Sequence, residues 1–241
     1  MHPLLAALDV DAATTATTLA ERLRGHVGGF KVGSHLFTAE GPPFVRALTA
    51  LGDRVFLDLK YHDIPNTVAS AVRAAARMGV WMLNVHASGG RGMMRAARDA
   101  ARQADSDRIP LVIAVTVLTS FDGPSLADVG IERQVIAHVE HLALLAQDAG
   151  LDGVVASPRE TGRVRERCGP DFLIVTPGIR SGPPKDGDDQ VRTMTAADAV
   201  LAGANYLVVG RPIIAAPDPA AAADAIAATL PVSGATGPLG A

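Results

Sequence analysis

Short apolar runs alternate along the chain with longer, Ala-rich stretches patterned for helices. The runs at 3–9, 28–33, 54–59, 81–86, 110–117, 152–156, 172–176 and 206–210 are apolar along most of their length, as strands covered on both faces should be. Helical patterns lie between them, near 12–25, 42–51, 64–79, 92–105, 132–149, 158–168, 193–203 and 217–229. Gly25, Gly52, Gly79, Gly150, Gly169 and Gly203 each stand just past a helical run, where a C-terminal cap favours a residue tolerant of positive φ. Strand followed by helix, repeated through the chain, predicts a single-domain (β/α)8 TIM barrel over 1–230. Alternation alone also permits an open, doubly wound sheet.

Two connections exceed the usual length, 119–131 after the fifth strand and 177–190 after the seventh. Connections of that size in a compact barrel serve as functional lids or are disordered insertions. The Gly/Pro/Ala-rich tail 231–241 is expected to be disordered.

Composition narrows the partners. The chain has 241 residues, and a barrel of this type takes ~250. A formal net charge of -3 offers no long-range attraction to nucleic acid, so any bound phosphate should be small and locally held. Cys168 is the sole cysteine, which excludes an intrachain disulfide. The N-terminal stretch lacks a basic start, and no run of ~18 apolar residues occurs, so a cytoplasmic protein without a membrane span is expected.

Polar residues collect at the C-terminal ends of the strands: Asp9 on the first, Lys31 on the second, Asp58 and Lys60 on the third, His86 on the fourth. In a barrel those ends open on one face, where active sites are built. A salt bridge or cap explains one such residue, but poorly explains four strands in succession. Period-two alternation sends Asp58 and Lys60 to the same side, with Leu59 opposite, so the two charges should meet in a partly desolvated mouth. Asp63, three residues on, has an alternative reading as a plain helix N-cap.

The stretch DLKYHDIPNTV, starting at Asp58, resembles the signature of the orotidine 5′-phosphate decarboxylase family. FKVG around Lys31, TVLTS ending at Ser120, TPGIR ending at Arg180, DDQVR around Gln190 and VVGRPI around Arg211 resemble its other motifs, in order. The charged positions show no departure, while Tyr61 and Phe121 fall where the family varies. The resemblance implies decarboxylation of orotidine 5′-phosphate to UMP without a metal or organic cofactor. Lys60 would protonate C6, Asp58 would face the departing carboxylate, and Lys31 and Asp63 would complete an alternating charge array. It also implies a homodimer in which Asp63 and Thr67 reach the neighbouring subunit's site. Asp9 and Lys31 would contact the ribose and Thr119 the pyrimidine, with Ser120, Ile64 and Pro177 among the substrate contacts. Gln190, Gly210 and Arg211 would hold the phosphate, with Arg180 close by.

Independent physical reasons support these residue types. Loss of CO2 leaves an in-plane electron pair on C6 that no carbonyl delocalises, so ammonium groups preorganised beside C6 must stabilise it. Phosphate sites in this fold favour the loops after strands seven and eight, where Arg180, Gly210 and Arg211 lie.

Other signals are weaker. The Ser88–Gly92 run reads as a short turn rather than a phosphate cradle. His86 reads as a hydrogen-bonded support, His62 carries no assigned chemistry, and His138 with His141 lacks a third metal ligand. Trp81 and Met82 read as packing. A rival reading is a metal-dependent sugar-phosphate decarboxylase or aldolase on a related barrel. That chemistry needs acidic ligands near the second strand, where Glu40 is the only candidate and lies well beyond it. A non-catalytic nucleotide-binding barrel is the other alternative.

Overall fold

Strand pairing decides between the two architectures. The computed structural model describes residues 2–104, 106, 108–179 and 194–231. Its strands are β1 (Leu4–Ala7), β2 (Gly29–Gly33), β3 (Val55–Tyr61), β4 (Met82–His86), β5 (Leu111–Val115), β6 (Gly153–Val155), β7 (Leu173–Thr176) and β8 (Tyr206–Val209). Each pairs in parallel with the next, and β1 pairs with β8, so the sheet closes on itself. An open doubly wound sheet is excluded by that last pairing. Arg180, Gln190, most of the 177–190 connection and the tail from 232 lie outside the described residues.

The helices are α1 (Ala13–Leu23), α2 (Ser34–Ala50), α3 (Pro65–Ala76), α4 (Gly90–Arg102), α5 (Gly123–Asp128), α6 (Val135–Asp148), α7 (Pro158–Cys168), α8 (Ala196–Leu201), α9 (Arg211–Ile214) and α10 (Pro219–Ala228). Six glycines after helices carry positive φ as expected. Two details go beyond the expectations. The helix expected near 42–51 is present and runs to Ala50, and a helical segment that the pattern did not anticipate precedes it from Ser34, the two meeting at a kink at Gly41. Gly41 sits at φ 68, a turn that lets the helix resume at the two prolines. The 119–131 connection is not structureless: Asp122 accepts from the Ser125 N–H and caps the short α5, whose Leu126 is buried.

Two apolar clusters follow from period-two alternation. Leu4, Ala6, Phe30, Val32, Leu57, Leu83 and Val85 point outward and pack beneath the helices. Leu5, Phe56, Met82, Ile113, Val175 and Tyr206 point inward and fill the barrel, with the Trp81 ring edge-on to Tyr206 at 5.1 Å. Trp81 and Met82 are packing residues, as expected. Two to four residues further along three of these inward rows the character changes. Leu5 leads through Ala7 to Asp9, Phe56 through Asp58 to Lys60, and Met82 through Asn84 to His86. The same alternation that fills the barrel floor therefore delivers charge to its C-terminal mouth.

Candidate active site at the barrel mouth

The mouth encloses a cavity of about 290 Å³, room for a small molecule. Asp9, Lys31, Asp58, Lys60, Thr119, Pro177, Gly210 and Arg211 are among the residues that line it. Four of these charges form a continuous chain. Lys31 Nζ donates to Asp9 Oδ1 at 2.6 Å and lies 3.8 Å from Asp58 Oδ2, and Lys60 Nζ donates to Asp58 Oδ1 at 2.8 Å. Gly33 makes room for it: a Cβ there would stand 3.0 Å from Lys31 Nζ and 3.4 Å from Asp9 Oδ1.

Burial alone would raise the Asp58 carboxyl. The Lys60 and Lys31 ammonium charges, with hydrogen bonds from Lys60 and Asn84, outweigh that and hold it below the ordinary carboxylate value. Asp58 is therefore an anion at neutral pH.

Lys60 has a backbone that alternation does not anticipate. It is the one non-glycine among the described residues with positive φ, 52°. The β3–β4 register explains why: Leu57 pairs with Leu83 but Tyr61 with Val85, so β3 carries extra residues in a bulge. The left-handed conformation costs about 1–2 kcal/mol in a residue with a Cβ. The displaced Lys60 N–H donates to Asn84 Oδ1 at 2.8 Å, and Asn84 Nδ2 donates to Asp58 Oδ1 at 2.6 Å. Asn84 escaped the sequence reading because it hides in the apolar run WMLNVH. A lone amide between Met82 and His86 on an inward row was the available signal.

Asp63 is separate from this chain. It is exposed, its Oδ1 accepts from the Ile64 N–H at 2.6 Å, and among the described residues it pairs with no cation. The helix-cap reading is corrected: Ile64 occupies the N-cap of α3, and no side chain caps it. His62 to Thr67 is exposed throughout, with Ile64 67% accessible. Ser120 is also exposed and outside the cavity lining.

The histidines turn elsewhere. His86 forms no side-chain hydrogen bond among the described residues, contrary to the support role expected for it. It faces His62 with ring centroids 5.5 Å apart, and burial followed by the charges of His62 and Lys60 lowers its pKa. Both line a second, mainly apolar cavity with Phe121 and His138. Ser88 and Gly89 form a 3-10 turn leading into α4. Among the described residues, no three of His, Cys, Asp and Glu converge in a metal-holding group. Glu40, the acid the aldolase reading would call on, is occupied: its Oε1 accepts from the Ala13 N–H at 2.8 Å and closes the start of α1.

A family model described as orotidine 5′-phosphate decarboxylase / HUMPS family matches residues 2–226. The chain belongs to that family. An orotidine 5′-phosphate decarboxylase of Moorella thermoacetica is 56% identical over 94% of this chain and 91% of that protein. One from Syntrophotalea carbinolica is 53% identical over 92% of each. The crystal structure of orotidine 5′-phosphate decarboxylase from Lactobacillus acidophilus superposes with a TM-score of 0.86 at 36% identity, covering 96% of this chain and all of that one. Within this family the charged mouth is the natural place to look for chemistry. No described helix is long and apolar enough to cross a membrane.

Proposed function

We propose that this protein decarboxylates orotidine 5′-phosphate to UMP and CO2 in pyrimidine biosynthesis, acting as a cytoplasmic homodimer. The observation that carries the reading is the unbroken Asp9–Lys31–Asp58–Lys60 chain lining the mouth, in a chain more than half identical to named decarboxylases.

In this reading the substrate's carboxylate sits beside Asp58 and its C6 faces Lys60. The bond from C6 to the carboxylate breaks, CO2 leaves neutral, and the electron pair stays on C6. Lys60 then gives C6 a proton, becomes an amine, and is reprotonated from solvent. The scheme draws on no metal or organic cofactor. Asp58 stays charged, so it disfavours the carboxylate before reaction while holding Lys60 in place for the carbanion that follows. Asp9 and Lys31 contact the ribose hydroxyls, Thr119 the pyrimidine side, and Pro177, Gly210 and Arg211 the phosphate side, with Arg180 and Gln190 completing the phosphate grip. Arg211 brings a planar, permanently charged fork suited to phosphate oxygens. Grip on the remote phosphate would be converted into organisation at C6.

The fourth charge of the array, Asp63, comes from the partner chain together with Ile64 and Thr67. Exposure of the whole His62–Thr67 segment supports that assignment, since Asp63 finds no cation among the described residues of its own chain.

Purified protein should turn over orotidine 5′-phosphate, followed by the fall in its ultraviolet absorbance, equally well in excess chelator. Absence of turnover, or its loss in chelator, would overturn the reading; the second result would favour the metal-dependent aldolase chemistry.

A further inference from the structure

An amide side chain is neutral, yet it presents one donor edge and one acceptor edge at a fixed separation. Asn84 is wholly buried on the inward row of β4, and both of its edges are spent on β3. Its oxygen takes the Lys60 N–H, which the bulge has withdrawn from the strand ladder. Its nitrogen binds Asp58 Oδ1, the same oxygen that accepts from Lys60 Nζ. A closed ring results: the Asp58 carboxylate, the Lys60 ammonium, the Lys60 backbone and the Asn84 amide. Packing alone does not require a polar residue here, because the neighbouring inward residue Met82 is apolar and equally buried. A buried amide satisfied, among the described residues, only by two residues of the charge array is there for those two residues.

We infer that Asn84 is a positioning residue for the reaction, fixing both the left-handed backbone of Lys60 and the orientation of the Asp58 carboxylate. The assignment rests on the proposed roles of Asp58 and Lys60. It acts in two ways. The acceptor edge stabilises a conformation that a lysine would otherwise leave, and so sets where the ammonium stands relative to C6. The donor edge adds a neutral hydrogen bond to Asp58, favouring its ionised form without placing a further charge in the mouth.

Two near-isosteric variants separate these effects. Asn84→Leu removes both edges and keeps the shape. Its single-turnover rate on orotidine 5′-phosphate should fall about a hundredfold, the scale of a ~1 Å misplacement, while UMP affinity stays within about threefold. Asn84→Asp keeps the acceptor for Lys60 but sets a second carboxyl against Asp58. The pair then shares a proton, and the acid limb of kcat/KM should move up by roughly a pH unit or more. A Leu variant that folds and reacts within about threefold of the parent overturns the assignment, as does a rate and a UMP affinity that worsen together by one factor. If the Leu variant does not fold, the Asp variant decides: an unmoved acid limb overturns the inference. Amide hydrogen exchange at Lys60, read by NMR, should quicken at least about tenfold in Asn84→Leu as its acceptor is lost. That readout does not depend on activity. A parent protein without turnover would therefore sink the decarboxylase reading, while unchanged Lys60 exchange would sink this one.

Discussion

Asp58 and Asp63 belong to one signature and occupy opposite surroundings. Asp58 is largely withdrawn from solvent, its side chain 15% accessible, with Lys31, Lys60 and Asn84 all within reach of its carboxylate. Asp63 is exposed and holds only the N–H of the next residue. Between them the chain leaves the barrel wall through the Lys60 bulge and runs exposed from His62 to Thr67 before Val68 is buried again. A carboxylate that a protein uses within its own chain is desolvated and paired there. One left in water with an apolar neighbour as accessible as Ile64 has the character of a surface awaiting a second molecule. On the proposed reading, the contrast corresponds to a half of the array completed by this chain and a half offered outward.

Substitutions on the two sides should separate that difference, the largest effect coming from the buried half. Lys60→Ala should lower turnover by at least the ~10²–10⁴-fold a general acid supplies, with UMP binding far less affected. A variant retaining more than about a tenth of parental turnover would remove Lys60 from the proton transfer.

Asp58→Ala and Asp63→Ala should then differ in kind. Both should be poorly active, but Asp58→Ala takes the anion from the Lys60 ammonium and the buried Asn84 amide, leaving Lys31 with Asp9 alone, and should cost roughly 3 kcal/mol in urea unfolding. Asp63→Ala, an exposed substitution, should stay within about 0.5 kcal/mol of the parent monomer's stability. Equal destabilisation would erase the distinction between the two carboxylates.

Elsewhere on the cavity wall, Arg211→Ala should lower kcat/KM for the nucleotide strongly and for the corresponding nucleoside little. Equal losses would mean that Arg211 does not act through phosphate.

The smallest effect concerns pH. The folded pKa of Asp58 lies below its unfolded value, so its stabilising contribution is whole above about pH 4 and is lost as pH falls through the folded value. Asp58→Asn should therefore unfold with a shallower dependence on acid below about pH 4 than the parent. Identical slopes would show that the Lys31 and Lys60 pairing does not persist in solution.

Much of this was legible in the residues themselves. The inward rows could be read because period two places Asp58 and Lys60 together once β3 is recognised, and the barrel followed from apolar runs spaced by helical patterns. The part of α2 before its kink, 34–40, was missed because Gly41-Pro42-Pro43 marks the start of a helical segment, as it does, and gives no sign of the turns that precede it. The left-handed turn at Lys60 was out of reach, since it arises from the β3–β4 register, a relation between strands that no local pattern encodes. Asn84 was missed for the related reason that its partners are some 25 residues away in sequence.

The division of the array between two chains is the central claim, and subunit mixing tests it most directly. Asp63→Ala and Lys60→Ala proteins should each be nearly inactive. After exchange, random pairing makes about half the dimers mixed, each with one site holding both groups and one holding neither, under two-fold symmetry. About a quarter of parental activity should return. If exchange is demonstrated and activity stays at the level of the separate variants, Asp63 serves the site of its own chain and the division fails.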